Sequence, residues 1–380
     1  MKNKCTTIIF ILFIAIFFII SVVKKDTGFA DTENRVLEQK PEFSMESLIE
    51  GMYTNSYQNY VRDQFPFRNE FVSMRNYIEK FMMKKEINGV LVCEDDYYIE
   101  SHKRENYTDE QAVKNVNELE TFVEKYSSMD TIKSISVEIV PTAQTVMTNK
   151  MTGTMYAFDQ NEYISEIADK TGECFVDTFS VLKEHDDEYI YYKTDHHWTT
   201  YGAYLVYKEW ATKNNLNPVE MEQIDVKTVT KDFLGTINNK LNLKMSTDTI
   251  ESYVVKDMNL TVSYNLSDEI KETVFEESFL EKKDKYGYFF GGNPGVVSIT
   301  NNEASKENNN DRNLLIIKDS YANCISNVYA ANFENTYVVD LRYFNMSIEE
   351  FISEYQITDI LVLYNVDSFA TDTKIKRINR

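Results

Sequence analysis

Two segments of the chain contain the residue types of a nucleophilic acyl-transfer site. The first, Thr194–Thr199, reads TDHHWT and places two of the protein's four histidines beside the carboxylate of Asp195. The second, Leu314–Tyr321, reads LLIIKDSY, an apolar run that breaks at Ser320. A serine whose proton passes to a carboxylate-oriented histidine is the basis of serine-dependent acyl transfer. No other pair of segments in the sequence indicates chemistry as strongly.

The spacing of the carboxylate and the histidines admits three interpretations. In an extended segment, side chains two residues apart project to one side, so Asp195 could accept a hydrogen bond from His197 Nδ1. Nε2 would then face a serine and His196 would point away. Alternatively, Asp195 could cap a helix in a surface turn. The two histidines could also bind a metal, with His102, His185 or a carboxylate as a third ligand. Spacing alone leaves these interpretations open.

The elements around Ser320 indicate where its side chain lies. The C-terminal part of the chain predicts alternating strands and helices at 313–317, 321–332, 336–340, 347–355 and 358–364. This βαβαβ pattern is typical of a parallel sheet covered by helices. Ligands bind beyond the carboxyl ends of such strands, and a backbone N–H at the following helix N-terminus could stabilise an oxyanion. Asp319 or Ser320 could equally cap that helix, and a cap can also be a nucleophile.

The rest of the chain also mixes helical and strand-like segments. Apolar residues recur at near-helical spacing over 45–83, with a break at Pro66. Further helices are predicted at 109–127, 161–170 and 200–214, strands at 135–140 and 174–176, and a hairpin at 89–92 and 97–99. Residues 220–300 are rich in strand-like alternation, and 301–312 form a polar, asparagine-rich loop. The pattern therefore predicts a mixed α/β protein without an internal repeat.

The N-terminal segment determines on which side of a membrane the site works. Thr6–Val23 contains eighteen residues without a charge, which as a helix span roughly 27 Å. Gly28–Ala30 offers small residues for signal-peptide cleavage, although charged residues at 24–26 intervene. The length favours a retained anchor over a signal peptide, and the lysines before it favour a cytoplasmic N-terminus. In either case we expect the working domain to be extracytoplasmic.

Composition limits the partners and the redox chemistry. A formal net charge of -21 disfavours nucleic acid, because phosphates would meet a repulsive field. Beyond Cys5, the cysteines are Cys93, Cys174 and Cys324, an odd number without metal-binding spacing. A bridge between Cys93 and Cys174 is one interpretation, and buried thiols that act as small apolar side chains are the other. Neither requires a cofactor.

The segment Asp195–Ala203, DHHWTTYGA, resembles the defining motif of the DHHW proteins. These proteins are similar to the SGNH-like O-acetyltransferases of the alginate type. The resemblance extends, in the expected order, to Glu33–Arg35 (ENR), Asp63–Arg68 (DQFPFR) and Lys318–Asn323 (KDSYAN). It thus covers nearly the whole chain beyond the apolar segment. The DHHW string is a specific signal, whereas the serine segment alone would be a weak one.

The resemblance implies roles for particular residues. It assigns Asp195, His197 and Ser320 to a catalytic triad whose serine comes late in the chain. Lys318 departs from the pattern, because a glycine often precedes the Asp-Ser pair. Weaker candidates for substrate or oxyanion contacts are Gly235, Asn365, Tyr321 and Trp198. Of these, the glycine and the asparagine could instead serve turns, and the tryptophan could pack in the core or stack on a sugar.

We therefore predict an α/β fold with an SGNH hydrolase-like domain, a central parallel sheet flanked by helices, and an N-terminal transmembrane helix. The expected organisation is an anchor at 1–25, a connector at 26–44, and the SGNH-like domain at 45–380, with a β-rich insertion at about 220–300.

The implied function is O-acetyl transfer to a cell-surface or secreted polysaccharide, without a cofactor or metal. The acetyl donor would be delivered by a membrane-bound acyltransferase partner. Two alternatives stay open: an acetyl esterase for the same substrates, and a non-catalytic polysaccharide-binding or assembly protein on the same fold. The abundant Tyr and Phe side chains would serve sugar stacking as well as a core.

Overall fold

The computed structural model describes residues 2–30, 35–153, 155–303 and 312–380. The chain forms two compact units, one of residues 1–88 with 238–244 and one of residues 89–237 with 245–380. The larger unit therefore starts at 89, whereas the sequence places the start of the SGNH-like domain at 45. Glu33, Asn34 and most of the predicted asparagine-rich loop lie outside the described residues.

The smaller unit is mainly helical. Its elements are α1 (Lys2–Val23), β1 (Phe29–Ala30), β2 (Arg35–Val36), α2 (Met45–Ile49), α3 (Met52–Asp63), α4 (Arg68–Phe81) and β3 (Glu86–Ile87). The predicted break at Pro66 falls between α3 and α4, because proline cannot donate the helical hydrogen bond. By length and composition α1 could cross a membrane, and a signal sequence meets the same criterion.

The larger unit contains the remaining helices and strands. The helices are α5 (Glu105–Thr108), α6 (Glu110–Ser127), α7 (Ala143–Val146), α8 (Asn161–Thr171), α9 (Thr178–Lys183), α10 (Thr200–Lys213), α11 (Thr236–Leu241, of which 238–241 belong to the smaller unit), α12 (Ser326–Tyr329), α13 (Ile348–Glu354) and α14 (Val366–Thr371). The strands are β4 (Val90–Val92), β5 (Tyr98–Glu100), β6 (Ser134–Val140), β7 (Ile224–Phe233), β8 (Asp248–Val255), β9 (Leu260–Tyr264), β10 (Ile270–Lys271), β11 (Val296–Asn301), β12 (Asn313–Lys318), β13 (Asn335–Val339) and β14 (Asp359–Asn365).

A seven-stranded sheet in the order β10-β9-β11-β13-β12-β14-β6 forms the centre of this unit. The four strands β13, β12, β14 and β6 run parallel, whereas β11, β9 and β10 extend the sheet with antiparallel pairs. The region 220–300, predicted to be β-rich, thus supplies three strands of the central sheet. The predicted hairpin is confirmed as the antiparallel pair β4–β5.

Both faces of the parallel strands are buried. In β12, Leu314 and Ile316 pack into one apolar core with Trp198 and the α10 side chains. Their neighbours Leu315 and Ile317 pack into a second core with α6, α13 and α14. Because successive strand residues point to opposite faces, a strand covered on both sides needs an uninterrupted apolar sequence.

Two predicted elements are wrong. No strand forms at 174–176, where a 3₁₀ turn precedes one isolated bridge from Phe175 to Val137. The segment leaves β6 at once because the Asp177 side chain caps α9 by accepting the Ser180 N–H.

The single helix predicted at 321–332 is instead a 3₁₀ turn, the short α12 and a second 3₁₀ turn. Side chains there bond backbone groups in competition with a helix. Ser326 Oγ donates to the Ala322 carbonyl, and Asn327 Nδ2 donates to the Tyr253 carbonyl.

The carboxyl ends of the parallel strands meet at one edge of the sheet. Ser320 follows β12, Asn365 ends β14, and Thr142 follows β6. In an open α/β sheet this edge is where ligands bind. The topology therefore places Ser320 where the sequence predicts it.

Candidate active site

Ser320 and His197 are in direct contact at this edge. His197 Nε2 and Ser320 Oγ lie 2.8 Å apart, although the two residues are 123 positions apart in the chain. Ser320 begins a 3₁₀ turn capped by Asp319, whose carboxylate accepts the Tyr321 N–H at 2.9 Å. A serine hydroxyl at this distance from an imidazole nitrogen can pass its proton directly.

Asp195 holds the other nitrogen of the same ring. Its Oδ1 lies 2.5 Å from His197 Nδ1 and also accepts the His197 backbone N–H at 3.0 Å. The two residues meet through this local turn, and not through the extended backbone that the spacing argument assumes. The segment is a bend between Tyr191 and Trp198, which form an isolated antiparallel bridge. Only the orientation of the imidazole follows the prediction.

The second carboxylate oxygen of Asp195 is fixed by the start of α11. It accepts the Thr236 backbone N–H at 2.8 Å and the Thr236 hydroxyl at 3.1 Å. Gly235 lies so close that a Cβ there would come within 2.2 Å of the Asp195 side chain. Its N–H donates to Thr194 Oγ1 at 3.2 Å, and a role of Gly235 as an oxyanion donor stays a prediction. The missing side chain lets the chain approach the carboxylate.

A buried carboxylate anchors the segment before the histidines. Asp248, at the start of β8, accepts the Lys193 N–H at 3.0 Å and the Thr194 N–H at 2.8 Å. The Thr194 hydroxyl donates to the same side chain at 2.6 Å. Backbone donors that converge on a buried carboxylate leave the loop little freedom.

An aromatic ring covers the imidazole. Tyr286 stacks on His197 with 3.8 Å between ring centroids and 11° between planes, and its hydroxyl donates to the Ser320 carbonyl at 3.2 Å. His197 itself is only 5% exposed. Tyr286 thus shields the imidazole from water and also contacts the serine turn.

Burial and neighbouring charges set the protonation states. Burial lowers the pKa of His197 to about 4, and the adjacent His196 adds to the effect. Burial alone would raise the pKa of Asp195, but the nearby imidazoles and the hydrogen bonds it accepts hold that pKa well below its usual range. At neutral pH the arrangement is a neutral imidazole beside an ionised carboxylate, which is the form that accepts a proton from serine.

His196 does not point away from the pair. Its ring centroid lies 3.9 Å from that of His197, and its Nδ1 lies 2.7 Å from Thr236 Oγ1. Asp195, His196 and His197 each place a possible metal-ligand atom within 4.8 Å of the others. Both nitrogens of His197 are, however, engaged by Asp195 and Ser320. This geometry favours the hydrogen-bonded triad over a metal site.

Two of the weaker candidates, Trp198 and Tyr321, are fully buried. Trp198 is 0% exposed and donates its Nε1–H to the Tyr321 carbonyl at 2.9 Å, so it packs in the core and cannot stack on a sugar. Tyr321 is likewise 0% exposed, and its hydroxyl donates to the His196 carbonyl at 2.6 Å. Its N–H donates to Asp319 Oδ1, so both polar groups of Tyr321 are engaged within the protein, and its role as a substrate or oxyanion contact stays a prediction.

Asn365 and Lys318 flank the serine turn from neighbouring strands. Asn365 Oδ1 caps α14 by accepting the Asp367 and Ser368 N–H groups, so the turn role of this residue is present. It also lines a polar cavity beside His196. Lys318, which replaces the usual glycine, is buried with its Nζ 3.5 Å from Asp340 Oδ2. Its charge is therefore directed toward that carboxylate.

The three later cysteines form no disulfide with one another. Cys324 is buried in the larger core, and Cys93 and Cys174 are half-buried.

The model of the DHHW protein family matches residues 84–339. The chain is a DHHW protein. The matched range includes Asp195, His197 and Ser320. The predicted family is therefore confirmed.

Solved structures agree with the family match. This DHHW protein superposes on a DHHW family protein from Eubacterium siraeum with a TM-score of 0.64 at 26% identity, over 77% of this chain and 95% of that chain. It is similar to Bacillus cereus PatB1, solved with a sulfonyl adduct, with a TM-score of 0.62 at 18% identity, over 77% and 100% of the two chains. A weaker likeness, with a TM-score of 0.42 at 12% identity over 75% and 93%, links it to the O-acetyltransferase domain of Pseudomonas putida AlgJ. No curated protein matches the sequence significantly.

The predicted fold class, an SGNH hydrolase-like α/β domain with a central parallel sheet flanked by helices, is confirmed, with three antiparallel strands added to the four parallel ones. Sequence reasoning missed Thr236, Asp248 and Tyr286 in the site of this DHHW protein. Asp248 and Tyr286 stand in the strand-rich stretch without a chemical motif. Thr236 follows Gly235, and this pairing of a glycine with a hydroxyl residue is the one feature of the sequence that could have indicated a close backbone contact there.

Proposed function

We propose that this DHHW protein is an extracytoplasmic O-acetyltransferase that acts on a cell-surface or secreted polysaccharide through Asp195, His197 and Ser320. The observation that carries the proposal is the continuous chain of contacts from Asp195 Oδ1 to His197 Nδ1 and from His197 Nε2 to Ser320 Oγ. The acetyl group and the polysaccharide come from the resemblance of the DHHW motif to alginate-type O-acetyltransferases.

In the first half-reaction Ser320 Oγ attacks the carbonyl carbon of an acetyl ester. His197 Nε2 takes the serine proton, and Asp195 stabilises the resulting imidazolium. As the carbonyl re-forms, the bond to the donor oxygen breaks and that oxygen receives the proton from His197. The products are an acetyl-serine and the deacetylated donor. We propose that a membrane-bound acyltransferase supplies the donor in its acetylated form.

In the second half-reaction a sugar hydroxyl attacks the acetyl-serine. His197 accepts the hydroxyl proton and returns it to Ser320 Oγ as the serine ester breaks. An acetylated sugar and free enzyme result. If water replaces the sugar, the same steps release acetate, which would make the protein an esterase.

The test measures release of p-nitrophenol from p-nitrophenyl acetate by the full chain in detergent. Ser320→Ala and His197→Ala should each lower kcat/KM on the order of 10³-fold, because each removes a member of one catalytic unit. Ser353→Ala, which changes an exposed serine in α13, is the matched control and should keep wild-type turnover.

Two outcomes would contradict the proposal. Equal background release by wild type and both variants would leave a binding protein. Activity that survives in Ser320→Ala and is lost with a chelator would indicate a metal hydrolase.

A covalent label provides a second measurement. PatB1 is known with a sulfonyl adduct, and sulfonyl fluorides react with activated nucleophiles. Phenylmethylsulfonyl fluoride should therefore modify one residue of this chain, Ser320, as read by peptide mass spectrometry. The His197→Ala variant should react far more slowly with the label. Labelling at a residue other than Ser320 would contradict the assignment of Ser320 as the nucleophile.

A further inference from the structure

A polar cavity of about 320 Å³ lies in the larger unit, and part of its wall is Thr236, which contacts Asp195. His196 forms another part of the wall, and its Nδ1 lies within hydrogen-bond distance of Thr236 Oγ1. Asn365, at the carboxyl end of β14, forms another part. All of the residues that line the cavity are polar. Such a wall offers a ligand several side-chain hydrogen-bonding groups.

A second histidine–carboxylate pair belongs to the same wall. His102 Nδ1 lies 2.9 Å from Asp367 Oδ1, and the two side chains are 11% and 26% exposed. Because Nδ1 is engaged by the carboxylate, Nε2 is the nitrogen that a ligand can reach. A carboxylate on one imidazole nitrogen fixes the orientation of the ring and the role of the other nitrogen.

Both members of this pair are held in place. The His102 backbone N–H donates to Gln144 Oε1 at 2.6 Å, and Gln144 Nε2 donates back to the His102 carbonyl at 3.2 Å. Asp367 Oδ1 also accepts from Asn106 Nδ2 at 3.1 Å and from the Tyr107 hydroxyl at 3.3 Å. The ring is therefore preorganised, which lowers the entropy cost of binding a ligand.

The charge of the wall selects among ligands. Glu100 and Asp367 contribute carboxyl groups, and among the described residues that line the cavity there is no lysine or arginine. Carboxylates accept hydrogen bonds from hydroxyl groups and repel anions. The wall thus suits a neutral, hydroxyl-rich molecule and disfavours a carboxylated sugar.

We propose that this cavity binds the acceptor sugar of the acetyl transfer, that the sugar unit is neutral rather than a uronate, and that His102 Nε2 contacts its hydroxyl groups. The assignment rests on the proposed function, because it names the molecule that receives the acetyl group from Ser320. The same edge of the sheet carries Ser320 and the cavity: Ser320 follows β12, while Asn365 ends the neighbouring strand β14 and Asp367 follows it.

The experiment compares two acceptors that differ only at C6, methyl β-D-glucoside and methyl β-D-glucuronide. The full chain in detergent receives p-nitrophenyl acetate as donor. p-Nitrophenol reports total turnover, and mass spectrometry reports the acetylated sugar. At O2, O3 and O4, the hydroxyls that both acceptors have, wild type should acetylate the glucoside at least tenfold faster than the glucuronide, since one unfavourable charge contact in a polar wall changes affinity about tenfold.

Variants of the pair test the role of His102. His102→Ala should raise the KM for the glucoside about tenfold and lower the ratio of transfer to hydrolysis, because one hydrogen bond to the acceptor is lost. Asp367→Asn should narrow the preference for the glucoside over the glucuronide. His185→Ala is the matched control, because His185 also pairs with a carboxylate, Glu188 at 2.5 Å, but does not line the cavity.

The outcomes separate this inference from the proposed function. No ester turnover by wild type, with labelling absent at Ser320, would overturn the proposed function itself. Turnover with neither sugar acetylated, or with the glucuronide preferred, would overturn the cavity assignment and leave the serine chemistry standing. A His102→Gln variant that folds as wild type does and keeps the KM of wild type would show that His102 does not contact the sugar. A raised KM in His102→Gln would support that contact.

Discussion

Gly235 lets the backbone at Thr236 approach the Asp195 carboxylate closely. A Cβ at this position would come within 2.2 Å of the Asp195 side chain, so Asp195 or the Thr236 turn has to shift. Displacement of a positioning group by about 1 Å costs on the order of 10²-fold in rate. Gly235→Ala should therefore lower kcat/KM for p-nitrophenyl acetate by about that factor. Its control is Gly28→Ala, where a Cβ meets no atom within 4 Å, and equal activities of the two variants would contradict the argument.

The environment of His197 predicts the acid limb of the pH–rate profile. Burial lowers the pKa of His197 to about 4, and only the neutral imidazole accepts the Ser320 proton. kcat/KM should therefore stay level as pH falls from neutrality and decline only near pH 4, about tenfold per pH unit below that. Circular dichroism at each pH separates this limb from acid unfolding. An acid limb near pH 6.5, which is about the pKa of an unperturbed histidine, would show that the imidazole is hydrated or charge-compensated in solution.

At the level of elements, the parallel strands were predictable because burial on both faces leaves a long apolar signature. The stretch Leu314–Ile317 packs into two different cores in alternation, so each residue has to be apolar. Helices with one polar face, such as α6 and α8, were equally clear from their period. Elements that bury apolar area in a regular pattern are thus visible in the sequence.

Elements fixed by individual hydrogen bonds were not predictable. The turns after Ser320 are set by three side-chain bonds to backbone carbonyls: Ser326 to Ala322 within the turns, Asn327 to the distant Tyr253, and the distant Trp198 indole to Tyr321. The same reason hid Asp248 and Tyr286, whose roles arise from contacts across the fold. The residues of the proposed triad could be named because their types carry chemistry. Their support could not be named, because it consists of ordinary residues that only the fold brings near.

At the scale of the whole molecule, net charge limits the kind of partner that the protein can bind. A net charge of -21 disfavours anionic partners for the molecule as a whole. The carboxyl groups that line the cavity beside His196 apply the same selection locally. Both observations point away from a uronate polymer, although the alginate-type enzymes that the DHHW motif resembles take their name from one.

The N-terminal segment predicts that α1 is a retained anchor. Its charge-free stretch of eighteen residues exceeds the usual apolar core of a signal peptide, about 7–15 residues. Phe17 of α1 also packs against Phe65, Phe67 and Phe71, with ring centroids 5.9 to 6.1 Å apart. The protein should therefore stay with membranes after a carbonate wash and dissolve in detergent with its N-terminus intact. A secreted product whose sequence starts just after Ala30 would instead identify a signal peptide, and the contacts of Phe17 would then belong only to the precursor.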